Sequence, residues 1–122
     1  MGYITKDQFA HKQKYDDWDA FIAANEYPTE DALDEMIEEM STLMNEEIGT
    51  LGTDITAAKY LTLLRNICYR GIIMMIDDEQ ARAQEERRSI FNPRDYMFER
   101  DRNRLRTIGH ALKKRKRGVW VF

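Results

Sequence analysis

Apolar residues recur with helical period along most of the chain, and the polar breaks between them divide it into four or five helices. Tyr3-Ile4 reads as a short extended segment. Thr5 with Gln8 three residues on fits a capping box, so a first helix is expected there with Phe9 facing inward. Asp16 or Asp17 is placed to cap a second short helix carrying Trp18, Phe21 and Ile22 on one face. It is expected to end near Asn25, because Pro28 disfavours helix at Tyr27. Thr29 caps the clearest element. Leu33, Met36, Ile37, Met40, Leu43, Met44 and Ile48 follow i, i+3, i+4, i+7 spacing, and acids fill the other face. Gly49 supplies a C-cap, and Glu30, Asp31 and Asp34 suit the positive end of the helix dipole.

Leu51-Gly52-Thr53 forms a loop, after which Asp54 or Thr56 caps a helix with a broad apolar stripe. That stripe runs through Tyr60, Leu61, Leu64, Ile67, Cys68, Gly71, Ile72 and Met75, and Leu63 and Met74 widen it. Such a helix is expected to be central. Gly71 within it predicts close approach of a neighbouring helix, since mid-helix glycine costs about 1 kcal/mol against alanine. Residues 77–88 either extend this helix into solvent or fray. Asn92-Pro93 opens a last helix, with Asp95 at a dipole-favoured position. Its stripe of Tyr96, Met97, Leu105, Ile108 and Leu112 is sparse, and Arg100, Arg102, Arg104 and Arg106 occupy other faces. After Leu112 the chain is expected to leave as a basic arm whose Val-Trp-Val-Phe tip has high strand propensity. The sequence thus predicts an all-α fold: a small bundle of four to five helices over residues 1–112 and an extended basic C-terminal arm over 113–122.

Composition narrows this picture. At 122 residues one domain is expected. Charged residues make up 34% of the chain, above the globular norm, and suggest long helices with much exposed surface. With two prolines and six glycines, a turn-rich β fold is disfavoured. Cys68 is the single cysteine, which excludes an internal disulfide or a cysteine zinc cluster. Its place in an apolar run predicts a buried, inert thiol, and synthesis in a cytoplasm is the expectation. The N-terminus carries no apolar signal core. Residues 71–76, the longest apolar run, are far too few to span a bilayer, so no membrane role is expected.

Charge changes the picture most. Residues 15–58 contain thirteen acids and no Lys or Arg, whereas residues 82–117 contain thirteen Lys/Arg against five acids, a local net of 13 − 5 = +8. The formal net charge of −3 conceals this polarity. A chain acidic in front and basic behind is suited to docking head-to-tail on its own copies, or to offering its basic end to an acidic protein or nucleic acid. Solvated helix faces are the plainer explanation of such runs, but the apolar cap Gly118-Val119-Trp120-Val121-Phe122 after Lys113-Lys114-Arg115-Lys116-Arg117 weighs against it.

No catalytic chemistry is visible. His11 and His110 lie in different terminal segments without a second imidazole or patterned carboxylate. Nucleophile elbow, phosphate loop and EF-hand patterns are absent. Glu38, Glu39, Glu46 and Glu47 lack the Glu-x-x-His spacing of di-iron helices. Neither an enzyme, nor a cofactor, nor a metal site is expected. Met36, Met40 and Met44 read first as core filler and secondly as an exposed groove for amphipathic helices.

Four readings compete for residues 113–122: a tail without function, a phosphate-binding arm, a nuclear localisation signal, and an anchor to another protein. The anchor is favoured. A Trp and a Phe left in water contribute nothing to a purely phosphate-binding arm, whereas aromatic side chains in pockets dominate protein interfaces.

The order of these features resembles the head-tail connector proteins of long-tailed double-stranded DNA phages, also called adaptor or head-completion proteins. The features are Tyr3-Ile4-Thr5 before a short helix, Tyr27-Pro28-Thr29 feeding the amphipathic helix, a glycine-containing loop before the apolar central helix, and Asn92-Pro93-Arg94-Asp95-Tyr96 before the last. The resemblance implies a structural virion protein, assembled in the host cytoplasm, that forms a ring beneath the portal, typically a dodecamer. Such a ring extends the DNA channel, passes DNA without sequence-specific binding and docks the next neck or tail protein. It also implies that Lys113, Lys114, Arg115, Lys116, Arg117, Val119, Trp120, Val121 and Phe122 anchor to the portal. The charge pattern adds candidates for the contact between subunits: acids Glu30, Asp34, Glu38 and Glu46 against Arg94, Arg100, Arg102, Arg104 and Arg106 across a heterologous interface. A small DNA-binding or packaging-associated protein using the basic arm is the alternative.

Overall fold

The computed structural model describes residues 2–49, 55–85 and 96–120, with residues 81–85 and 114–120 in backbone only. It is all-helical, with no strand among the described residues: α1 Lys6–Lys12, α2 Trp18–Ala24, α3 Glu30–Ile48, α4 Ala58–Glu85 and α5 Glu99–Trp120.

Local chemistry sets most of these boundaries. Thr5 and Gln8 form the full capping box at α1. Asp17 caps α2 by accepting from the Ala20 N–H, Thr29 caps α3 by accepting from the Ala32 N–H, and Gly49 closes α3 at φ 90°. The end of α1 departs from the glycine rule. Lys14 takes the left-handed conformation at φ 69°, Tyr15 N donates to Ala10 O and Lys14 N to His11 O, a Schellman turn without glycine.

Helix α3 is the hub and packs against both α4 and α5. Gly71 of α4 meets Met40 of α3, and Cys68 lies 3.9 Å from the Ser41 hydroxyl, so the two helices run antiparallel. Leu33, Met40, Met44, Leu64, Ile67, Ile72 and Leu105 are fully buried between the three. Met36, Met40 and Met44 are therefore core residues, not the walls of an open groove. Helices α1 and α2 pack on each other through aromatic rings, Phe21 lying 5.6 Å from Phe9, 5.3 Å from Tyr15 and 5.1 Å from Trp18 between centroids. They are tied to α4 by Phe9 against Tyr69, by Gln13 donating to the Tyr69 hydroxyl (2.7 Å) and by Lys12 donating to Asn66 (2.6 Å).

The N-terminal segment is fastened by polar groups inside the apolar stripe of α3. Tyr3 N donates to Ser41 Oγ (3.1 Å), the Tyr3 hydroxyl donates to Asn45 Oδ1, and Ile55 N donates to the same hydroxyl (3.0 Å). One phenol thus joins the N-terminus, α3 and the approach to α4. Tyr3→Phe removes only that hydroxyl and strips the buried Ile55 N–H of its acceptor. The expected loss is about 2 kcal/mol, read by urea denaturation; a loss under about 0.5 kcal/mol would show that the node contributes nothing net.

Several expectations need correction. Ile22 is 45% exposed, because the rings of Phe9 and Tyr15 turn α2 toward Phe21 and leave Ile22 at the rim. Leu61 is 38% exposed, a turn before the stretch of α4 that meets α3. Helix α4 begins at Ala58, two residues beyond Thr56; the loop 51–53 and Asp54 lie outside the described residues. So do Asn92, Pro93 and Asp95, and α5 begins only at Glu99, leaving Tyr96 and Met97 ahead of it although Met97 is buried. Nor does the backbone open at Leu112. It stays helical through Trp120; Val121 and Phe122, the rest of the expected β-prone tip, lie outside the described residues. Consecutive Lys and Arg are good helix formers that propagate an existing helix cheaply, and cations favour its C-terminal end.

Candidate functional site

Buried stripes decide which charges remain outside. On α3 the inward positions include Ser41 and Asn45 besides the apolar set, which turns Glu35, Glu38, Glu39, Thr42 and Glu46 outward. On α5 the buried stripe is Asp101, Leu105, Ile108 and Gly109, with Leu112 half-buried. At 100° per residue, Arg102 and Arg106 flank one side of that stripe, and Arg100 and Arg104 flank the other.

The two flanks have different surroundings. Arg102 and Arg106, on successive turns, close on Glu47 of α3 at 3.5 and 3.3 Å. Arg100 and Arg104 are exposed; the Arg100 Nε lies 3.7 Å from its neighbour Asp101, and Arg104 has no ion pair among the described residues. Part of the expected acid–base pairing is therefore satisfied within one chain, and through Glu47 rather than Glu46. Glu30 and Asp34 sit beside Lys6 at the other end of α3, the Lys6 ammonium donating to Glu30 and lying 3.7 Å from Asp34. The hydrogen bond to Glu30 and the charges of both acids hold the Lys6 ammonium above its ordinary value.

Three shallow depressions adjoin along α3. The first is lined by Gly2, Ile4, Lys6, Asp34, Ile37 and Glu38; the second by Glu35, Glu38, Glu39, Thr42 and Leu43; the third by Leu43, Glu46, Glu47 and Met97. Glu38 belongs to the first two and Leu43 to the last two, so they adjoin as one shallow, open groove that winds across the outward side of α3. Glutamate stems, Ile37 and Leu43 give it an apolar floor, and carboxylates give it an acidic rim.

Helix α5 crosses α3 at the end of the latter. A Cβ on Gly109 would overlap the carbonyl oxygen of Ile48, so the bare Cα of glycine faces one of the last carbonyls of α3. One turn further, Lys113 is exposed above Gly49, its Nζ 3.8 Å from where a Cβ on Gly49 would sit, a place where the dipole of α3 favours a cation. From there the helical backbone carries Lys114, Arg115, Lys116, Arg117, Val119 and Trp120 onward. Arg94, Val121 and Phe122 lie outside the described residues.

Charged groups in the core were not anticipated. Asp101, 1% exposed, receives two hydrogen bonds from Arg70, Nε at 2.9 Å and Nη2 at 2.8 Å. Buried Asp78 accepts from the Tyr96 hydroxyl at 3.0 Å. The signal for Asp101 was available: it occupies the i position of the Leu105, Ile108, Leu112 stripe. Its partner Arg70 carried no comparable mark.

Among the described residues no group of three or more His, Cys, Asp or Glu is arranged to hold a metal ion, and no helix is long and apolar enough to cross a membrane. His110 is exposed, and the His11 ring is hydrogen-bonded to the Asp16 carbonyl. No protein-family model, curated protein or solved structure matches this chain.

Proposed function

We propose that this chain is a head-tail connector of a long-tailed double-stranded DNA phage, a structural adaptor that assembles as a ring beneath the portal. In this reading the ring extends the DNA channel and docks a neck or tail-completion protein. The observation that carries it is the placement of charge on the helices. The outer face of α3 is acidic, while α5 continues past Gly49 as a helix through the five-cation run to Trp120. Opposed surfaces at separate places on one subunit suit head-to-tail contacts that close into rings. The basic-apolar end of α5 suits an anchor in a second protein, with Lys113 to Arg117 meeting acidic groups and Val119 to Phe122 filling apolar pockets. The order of features along the chain resembles that of the phage connectors.

Electron microscopy of the protein mixed with its portal tests this, comparing the full chain with one ending at Leu112. Leu112 is the last residue of α5 packed on the core among those whose side chains are described, and Lys113 is exposed. A ring under the portal that disappears on truncation is the expected outcome. Absence of any ring, with salt-sensitive DNA binding lost on truncation, would transfer the assignment to a DNA-binding protein.

A further inference from the structure

We infer that the groove along α3 receives the Arg100–Arg104 flank of α5 from a second copy of this chain, an inference that rests on the ring reading and names its contact. The groove runs from Asp34 to Glu47, about 20 Å at 1.5 Å per residue. Its floor is apolar; Asp34 at one end already lies beside Lys6, and the rest of the rim carries Glu35, Glu38, Glu39 and Glu46, so its occupant must offer cations on long apolar stems. That is the character of arginine, and it excludes the phosphates of a nucleic acid.

The chain itself carries a surface of this description. Arg100, Arg104, Thr107 and Ala111 are all exposed and follow one another along one side of α5, over about 16 Å. Small residues stand within both surfaces, Thr42 on α3 and Thr107 and Ala111 on α5, which lets two helices approach to packing distance. The same chain cannot make this contact. Its α5 already crosses the end of α3 at Gly109, with Arg102 and Arg106 turned to Glu47, and Arg100 and Arg104 lie on the opposite side of the buried stripe. Four arginines that look equivalent in the sequence are thus divided: two bind α3 in the same chain, and two are presented to α3 of the next. The contact is heterologous. Every added copy leaves one groove and one flank open, so it propagates until the ring closes.

Analytical ultracentrifugation of the full chain in low salt tests the inference with two variants, Glu38→Arg/Glu39→Arg and Arg100→Glu/Arg104→Glu. Every substituted side chain is exposed, and circular dichroism checks that each variant folds. Either variant alone is expected to self-associate about tenfold more weakly, or less. An equimolar mixture is expected to recover wild-type association, because the basic groove of one variant meets the acidic flank of the other. A wild-type chain that stays monomeric, a variant that associates like wild type, or a mixture that fails to recover would each overturn the inference. So would an Arg100→Glu/Arg104→Glu loss confined to DNA binding. The ring reading fails elsewhere, at the portal: rings formed there equally by both variants would leave it intact and remove this interface.

Discussion

Gly109→Ala is expected to destabilise the fold by about 2 kcal/mol. Alanine gains about 1 kcal/mol of helix propensity over glycine. Against that, the added methyl overlaps the carbonyl oxygen of Ile48, and backbone cannot rotate aside as a side chain does. Overpacking typically costs about 1–3 kcal/mol, and a collision with backbone belongs at the upper end of that range. Gly71→Ala provides the contrast. Its Cβ would strike the Met40 side chain, chiefly the thioether sulfur and terminal methyl, which are the most adaptable groups in a core. That variant is expected within about 1 kcal/mol of wild type. Urea melts of both proteins decide the matter. Equal losses would mean that the α3–α5 crossing is no tighter than the α3–α4 contact.

Arg70→Ala is the more damaging change, with an expected loss of about 3 kcal/mol, a large part of the stability of a typical domain. Asp101, 1% exposed in the intact fold, would lose its two-pronged partner and keep, among the described residues, the Arg100 Nε at 3.7 Å. A buried charge deprived of its partner is costly because the desolvation remains after the compensating attraction has gone. Asp101→Asn is expected to cost less. The charge it leaves belongs to Arg70, whose side chain is 29% exposed and reaches water. Chemical denaturation of the two variants should therefore separate them, Arg70→Ala being the weaker. The reverse order would show that Asp101 matters through its shape and hydrogen bonds, not its charge.

These two sites also show where sequence reasoning stops. Gly71 sits in a helix-long apolar stripe, so its role as a contact point could be read from periodicity alone. Gly109 lies in a basic, sparsely apolar helix, and only the crossing with Ile48 gives it meaning. Asp101 was marked by its place in the apolar stripe of α5, but nothing local marks Arg70, thirty-one residues earlier in the chain. Tyr3, Ser41 and Asn45 present the same case, each polar or half-polar and each buried through partners distant in sequence.

The sequence by itself determined the all-helical content, the caps at Thr5, Thr29 and Gly49, the cap of α2 to within Asp16 or Asp17, the inward face of α3, and the separation of acidic from basic charge. Each of these depends on neighbours within one or two turns, where hydrogen-bond geometry and the helical period act directly. Tertiary structure decided which charges are satisfied inside the subunit and which are presented outside it. Glu47 rather than Glu46 meets arginine, and Arg102 and Arg106 are divided from Arg100 and Arg104. The reason is geometric. Helical period fixes the angle between residues on one helix, but which angle faces a neighbour is set by how α3, α4 and α5 pack, through contacts that no local pattern encodes.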